Sequence, residues 1–400
     1  MVAMQRVGTG AGVTWTVVGD DHLPVGPVEE FLEFMRVARE ASPHTVRSYA
    51  TALAGLWSYV GRAGLSWDKL SLPELTGYLR VLRTGEESGI RRLEAAGGGQ
   101  CRTDRTVATR WAAVSSFYRY HADVHQVPVG EKLYRSGPRS RRSRYVPALV
   151  HTHRGQRQVP VVRVRQGDGR PVPLLTPAQV AAILDDCARF DPTSGSWVGS
   201  VRDRLLFATL AETGLRLGEC LSLRHRDWHL GQGSTPFVEV VPTGDHPHQM
   251  RAKGGRFRRV YVSDDLERLY GEYLWSLVDA GAADELEDLE GHWAFVNLSR
   301  GERFSPLRSE SVYSKVRAIK AHLGPAGPAV PAEWSPHWFR HSHASALLLN
   351  GTPAHVVMRR LGHADVQTTL GLYGWVTEDA ELRALAGWQS LCPKGASAGE

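Results

Sequence analysis

The chain has 400 residues, 42% of them hydrophobic, enough for two or three domains with buried cores, which excludes a disordered or fibrous protein. Lys and Arg number 48 against 42 Asp and Glu, a formal charge of +6, and because only six of the 48 are Lys, 42 are Arg. That excess suits phosphate recognition, because a planar guanidinium forks onto phosphate oxygens as an ammonium does not. No apolar run reaches the roughly 18 residues of a membrane span, and residues 1–20 lack the charged start and continuous apolar stretch of a signal peptide, so a cytoplasmic protein is expected. Cys101, Cys187, Cys220 and Cys392 form no CxxC pair, which leaves buried free thiols rather than a disulfide framework or a cysteine zinc site.

Residues 1–26 read as a lead with a strand at 13–18, followed by a helical region over 27–130. Its clearest helix starts at a Ser42 cap with Pro43 in the first position, and Val46, Tyr49, Leu53, Leu56, Trp57 and Val60 recur at helical spacing. Further helices are expected at 28–39, at 73–83 behind Ser71, and at 106–123, where Val107, Trp111, Val114 and Phe117 share a face. The Gly-rich tract 85–99 reads as a loop. Between 135 and 165 the chain carries nine Arg and no acid, with Pro138, Pro147 and Pro160, so 131–173 reads as a basic linker. Its Arg139, Arg141, Arg142 and Arg144 are candidate DNA-backbone contacts, since each neutralised phosphate releases counterions.

From 174 to 391 the pattern is mixed, before a tail at 392–400. Thr176 caps a helix with Pro177 at its start, a second runs 202–213 and closes at Gly214, and a third holds 217–223. Strands at 237–241 and 257–263 flank a polar turn. Helices follow at 266–279, 311–322, 338–350, 353–361, 366–373 and 378–391, around a short apolar run at 294–298. The fold class is therefore mainly α with a small β-sheet, in a helical domain and a mixed α+β domain.

Several motifs lead nowhere. The Gly395-Ala-Ser-Ala-Gly399 run matches the serine-hydrolase pattern without the strand-turn-helix that makes the serine reactive, and neither GxxxxGK[ST] nor HExxH occurs. The acidic run from Asp284 to Glu290 reads as solvated surface. His337 and His341 stand at a zinc-compatible i, i+4 spacing, but no Cys or carboxylate accompanies them in the motif, and no metal is expected.

The informative residues are dispersed. Arg216 opens a helix after Gly214, with Glu219 on the same face able to hold it; Lys253 sits in a glycine-flexible turn; His337 and Arg340 share a helical face; His363 follows Leu361-Gly362; and Tyr373 comes ten residues later. Two arginines, a lysine, two histidines and a tyrosine, with no carboxylate cluster among them, form a kit for metal-free attack on a phosphodiester.

These residues resemble the tyrosine recombinase (phage integrase) family. The pattern R…K…HxxR…LGH…Y is filled in order by Arg216, Lys253, His337, Arg340, His363 and Tyr373, and Glu219 matches the acidic residue after the first arginine. Region 27–130 looks like the family's core-binding domain and 174–391 like its catalytic domain, and the tracts at 114–121 and 246–253 look closest to integrases and transposases of bacterial mobile elements. The resemblance implies that Tyr373 attacks a backbone phosphate to give a 3′-phosphotyrosyl bond. In it Arg216, Arg340 and His363 stabilise the phosphoryl oxygens, His337 accepts the tyrosine proton, and Lys253 protonates the leaving 5′-oxygen. It further implies no cofactor, double-stranded DNA with specific sites as substrate, a homotetramer on DNA tied by the 378–391 helix, and accessory proteins. Integration, excision or transposition of DNA would be the outcome. The alternative is a non-catalytic DNA-binding accessory protein, and a metal-dependent nuclease using paired carboxylates is a third reading.

Overall fold

The computed structural model describes residues 2–10, 12–84, 102–136, 158–162, 164, 172–231, 233, 235–248, 250, 256–299, 301–323 and 330–363. The chain divides into two compact units, Met1–Arg170 and Pro171–Glu400.

The first unit opens with an antiparallel hairpin of β1 (Ala3–Thr9) and β2 (Gly12–Val18), in register from Ala3 opposite Val18 to Thr9 opposite Gly12. The strand expected at 13–18 is β2, and its partner β1 was not anticipated. Helices α1 (Gly26–Val37), α2 (Pro43–Ala63), α3 (Leu72–Thr84) and α4 (Asp104–His125) follow. Their ends obey local chemistry. Ser42 Oγ accepts from the Thr45 N–H at 3.3 Å, and Gly64 closes α2 in the left-handed region at φ 62°. Phe31, Leu53, Leu56, Val107, Val114 and Phe117 meet in one core. Beside it Trp57 and Trp67 stack, with Phe117 edge-on to both at 5.4 and 5.5 Å.

A short α5 (Pro128–Lys132) leads into β3 (Tyr134–Ser136), which pairs antiparallel with β4 (Gln158–Pro160). Within the stretch expected as a linker, 131–173, this strand pair is what the described residues show, and residues 137–157 between the strands lie outside them. Leu133 is buried in the first unit's core, and Val162 and Val164 pack against it.

The second unit is built on α7 (Val201–Thr213), whose Leu205, Leu206, Phe207 and Leu210 are buried. Around it lie α6 (Pro177–Cys187), α9 (Asp264–Asp279) and α12 (Pro336–Leu349). Thr176 and Gln179 form a reciprocal capping box at the start of α6. Between α6 and α7 stands an unanticipated hairpin of β5 (Ala188–Asp191) and β6 (Ser196–Gly199). After α8 (Leu217–Leu221), β7 (Trp228–His229), β8 (Phe237–Val240) and β9 (Arg258–Tyr261) form a three-stranded antiparallel sheet in chain order. The short α10 (Ala282–Glu285), α11 (Ser309–Leu323) and α13 (Ala354–Leu361) complete the described residues. The helices expected at 366–373 and 378–391 lie outside them. Cys187 and Cys220 are buried free thiols, and burial pushes Cys187 up to about 12. No helix among the described residues is long and apolar enough to cross a membrane.

Candidate active site

The site begins at the turn between α7 and α8. Ser200 Oγ accepts from the Asp203 N–H at 3.2 Å to start α7, and Gly214 ends it at φ 65°. A Cβ on Gly214 would lie 2.8 Å from both His343 Cδ2 and Leu361 Cδ2, so α12 and α13 approach this turn too closely for any side chain. Arg216 then opens α8, and the buried Glu219 one turn on holds it twice. Glu219 Oε2 accepts from the Arg216 backbone N–H at 3.0 Å and Oε1 accepts from its Nη1 at 2.9 Å.

Two more guanidiniums converge on the same carboxylate. From β9, Arg258 donates Nη2 to Glu219 Oε2 at 2.7 Å and Nε to the Arg360 carbonyl at 3.0 Å. From α12, Arg340 places Nη1 4.0 Å from Glu219 Oε2 while donating to the carbonyls of Gly214 at 2.8 Å and Leu361 at 2.7 Å. Burial acts to raise the Glu219 pKa, but the charge and hydrogen bond of Arg258, followed by Arg216, outweigh it and hold the carboxyl below its ordinary range. Among the described residues one carboxylate gathers three guanidiniums here, so the cluster is predominantly positive. The side chains of Arg258 and Arg340 are only 5% and 2% exposed, whereas that of Arg216 is 24% exposed, so of the three Arg216 is the most open to solvent.

His363 follows Gly362, whose φ is 67° and whose added Cβ would lie 2.7 Å from Arg258 Nη1. Burial first, and then the charges of Arg340 and Arg216, push His363 down to about 4. It is therefore a neutral imidazole at neutral pH, able to donate one N–H. His341 is likewise pushed down to about 4 by burial, then by His337, Arg340 and His363, and its ring lies edge-on to that of the exposed His337 at 4.4 Å. His343 accepts from Arg360 Nε at 2.9 Å, so its Nδ1 carries the proton donated to the Ala211 carbonyl at 3.1 Å.

Five histidines of this unit, 225, 246, 341, 343 and 363, are held at about 4 chiefly by burial. Unfolded, each titrates near about 6.5, so between those values the unfolded chain binds more protons and stability is lost as pH falls. From about pH 7 to 5 each contributes a loss of roughly 2 kcal/mol. Calorimetric melting should show the second unit's transition falling steeply over this window; a flat transition temperature would contradict the buried neutral rings.

Beside the cluster runs a groove of about 930 Å³ in which Arg256, Arg259, Arg359 and Arg360 alternate with apolar residues such as Phe257, Val356 and Met358. Of the residues singled out in the sequence, Arg216, Glu219, Arg340 and His363 come together, with His337 one ring away across His341. Lys253, Tyr373, Arg139, Arg141, Arg142 and Arg144 lie outside the described residues. Arg258 is the participant that sequence reading passed over, as one of four arginines in the 251–259 run. Its signal is the β9 alternation, which buries 258 and turns 259 outward. In the acidic run, Glu285 forms an exposed pair with Arg303 at 3.0 Å, as surface charge does.

Residues 173–379 match the phage integrase family, and residues 28–123 match the phage integrase N-terminal SAM-like domain. The chain is 27% identical over 349 residues to transposase A from transposon Tn554 of Staphylococcus aureus, covering 87% of each protein. It is 28% identical over 362 residues to the tyrosine recombinase XerD of Agrobacterium fabrum, covering 88% of this chain and 90% of that one. Among solved structures it resembles the XerH site-specific recombinase bound to palindromic difH substrate in a post-cleavage complex, with a TM-score of 0.56, 19% identity, and coverage of 89% of this chain and 83% of that one.

Proposed function

Since the chain belongs to the phage integrase family and is a tyrosine-type site-specific recombinase, an enzyme that breaks and rejoins DNA strands, we propose that Tyr373 is its nucleophile. The observation that carries this reading is the Glu219 cluster, which gathers the guanidiniums of Arg216, Arg258 and Arg340 around one carboxylate with the neutral imidazole of His363 close by. A phosphodiester brings one negative charge and gains more at its non-bridging oxygens as attack proceeds. Charges fixed beforehand in a partly buried site stabilise that gain without reorganising.

Tyr373 Oη attacks the phosphorus, forming a 3′-phosphotyrosyl bond as the bond to the 5′-oxygen breaks. A free tyrosine holds its proton up to a pKa of about 10, so Tyr373 must lose it during attack, and His337 accepts it. Lys253 supplies the proton that the leaving 5′-oxygen takes up. Arg216 and Arg340 carry the growing charge, with His363 donating a further hydrogen bond; one such donor is worth about 2.7 to 4 kcal/mol. Because one phosphodiester is exchanged for another of similar energy, a 5′-hydroxyl from a second duplex reverses the step, and no nucleotide is consumed.

The partner is DNA, and the Arg-lined groove and the arginines at 139, 141, 142 and 144 are its backbone contacts, supplying affinity while base edges and DNA shape supply the site. Exchanging strands between two duplexes requires four cuts. Four protomers therefore assemble on DNA in the cytoplasm, tied through the 378–391 segment, with accessory proteins directing the outcome.

The test is incubation, in EDTA, with labelled DNA carrying a candidate site nicked close to the cleavage point. The expected product is a protein-DNA adduct that survives denaturation and maps to the peptide holding Tyr373. Tight binding without any adduct at a verified site would make the protein an accessory binder instead. Cutting that appears only with added metal would transfer the chemistry to carboxylates.

A further inference from the structure

Away from the arginine cluster, in the first unit, lies the one place among the described residues where three metal-ligating side chains meet: Glu30 on α1 with His121 and His125 on α4. One ring nitrogen of each histidine and one carboxylate oxygen all lie within 4.8 Å of one another. The i, i+4 spacing on α4 brings the two rings to 5.4 Å, at 23° to each other. Packing of α1 on α4 supplies the carboxylate, with Glu30 Oε1 2.7 Å from His125 Nε2.

The surroundings are those of a metal site as much as of an ion pair. His121 is 1% exposed, and its Nε2 lies 3.0 Å from the Pro27 carbonyl, which only accepts, so Nε2 carries the proton. Among the described residues the buried Nδ1 then holds a lone pair with no hydrogen-bond partner. A backbone carbonyl that holds the proton on one nitrogen of a histidine leaves the other as the nitrogen able to bind a metal, an outer contact common among metal ligands. Tyr120 donates its hydroxyl to Glu30 Oε1 at 2.9 Å, a second outer contact of the same kind.

We propose that Glu30, His121 and His125 bind a divalent transition ion of the zinc class, clasping α1 to α4. Two imidazoles and a carboxylate favour zinc over magnesium or calcium, which prefer all-oxygen shells, and they leave a fourth position for water. Bond lengths of about 2.0 to 2.2 Å require ligand atoms roughly 3.3 Å apart. Glu30 and His125, at 42% and 47% side-chain exposure, are free to turn inward to reach that spacing. The ion is structural. It lies in the unit that carries none of Arg216, Arg340, His363 or Tyr373, and the proposal holds whatever the nucleophile is.

The full chain, stripped with chelator and desalted, would be titrated with zinc chloride by calorimetry, and its melting followed with and without the ion. One strong site per chain is expected, with zinc raising the first unit's transition. Glu30→Gln and His125→Gln, at half-exposed positions, should each weaken binding at least about tenfold and abolish the zinc-dependent shift. His44→Gln, on the exposed surface of the same unit, should change neither. Zinc binding that both variants retain, or no saturable site below about 0.1 mM zinc, would reduce the group to an ion pair between two helices.

Discussion

Tyr373→Phe should bind site DNA as tightly as the wild type and form no covalent adduct. The phenyl ring keeps the shape and apolar surface of tyrosine and removes only the oxygen that attacks phosphorus, so affinity, set by phosphate and base contacts, stays in place. The chemistry has no substitute atom, because the partners of the nucleophile act on a bond that never begins to form. The expected loss exceeds the 10²- to 10³-fold that about 2.7 to 4 kcal/mol represents for a single stabilising donor, and reaches the background of the assay. Gel-shift titration beside the nicked-substrate assay separates the two properties. Residual adduct in the variant would put the nucleophile elsewhere. Lost binding with unchanged adduct per bound complex would make Tyr373 a DNA contact.

Glu219→Gln should destabilise the second unit by about 3 to 5 kcal/mol, as removing one partner of a buried ion pair does. Its side chain is fully buried and serves Arg216, Arg258 and Arg340 together. Glutamine preserves the shape but carries no charge and offers one acceptor oxygen where two are used, while its amide N–H₂ would face a guanidinium. The cluster loses the carboxylate it is built around, with the side chains of Arg258 and Arg340 only 5% and 2% exposed. At roughly 2 to 4 °C per kcal/mol for a unit of this size, the transition should fall by about 10 °C. Millimolar phosphate or sulfate should restore part of it by replacing the missing anion. Strand cleavage should also drop, since Arg216 loses one of the two contacts that aim it. Glu239→Gln is the control, because its partner Arg259 is 56% exposed and such pairs contribute about 1 kcal/mol or less. Equal, small shifts for the two variants would mean that the cluster is not organised by Glu219.

Much of this protein is written locally in its chain. The caps at Ser42 and Thr176 and the stops at Gly64 and Gly214 follow from single residues satisfying, or turning away from, helix ends. Helical periodicity placed the cores of α2 and α4 on the correct faces, and six chemistry-bearing residues in fixed order pointed to the family and the reaction. These signals are legible because each spans about one helical turn or depends only on order along the chain.

The remainder depends on which distant segments touch, and one-dimensional periodicity carries no record of that. Arg258 looks no different from Arg256 and Arg259 until strand pairing turns it inward and α13 closes over it through the Arg360 carbonyl. The hairpin at 3–18 and the β3–β4 pair inside the basic stretch need partners that composition alone does not name. Glu30 meets His121 and His125 only because α1 packs on α4, some ninety residues away in sequence. The sequence by itself determined the residue kit, the helix ends and the family. Only the tertiary structure decided that one buried carboxylate gathers three arginines, because a charge can be buried only where its partners arrive from other elements of the fold.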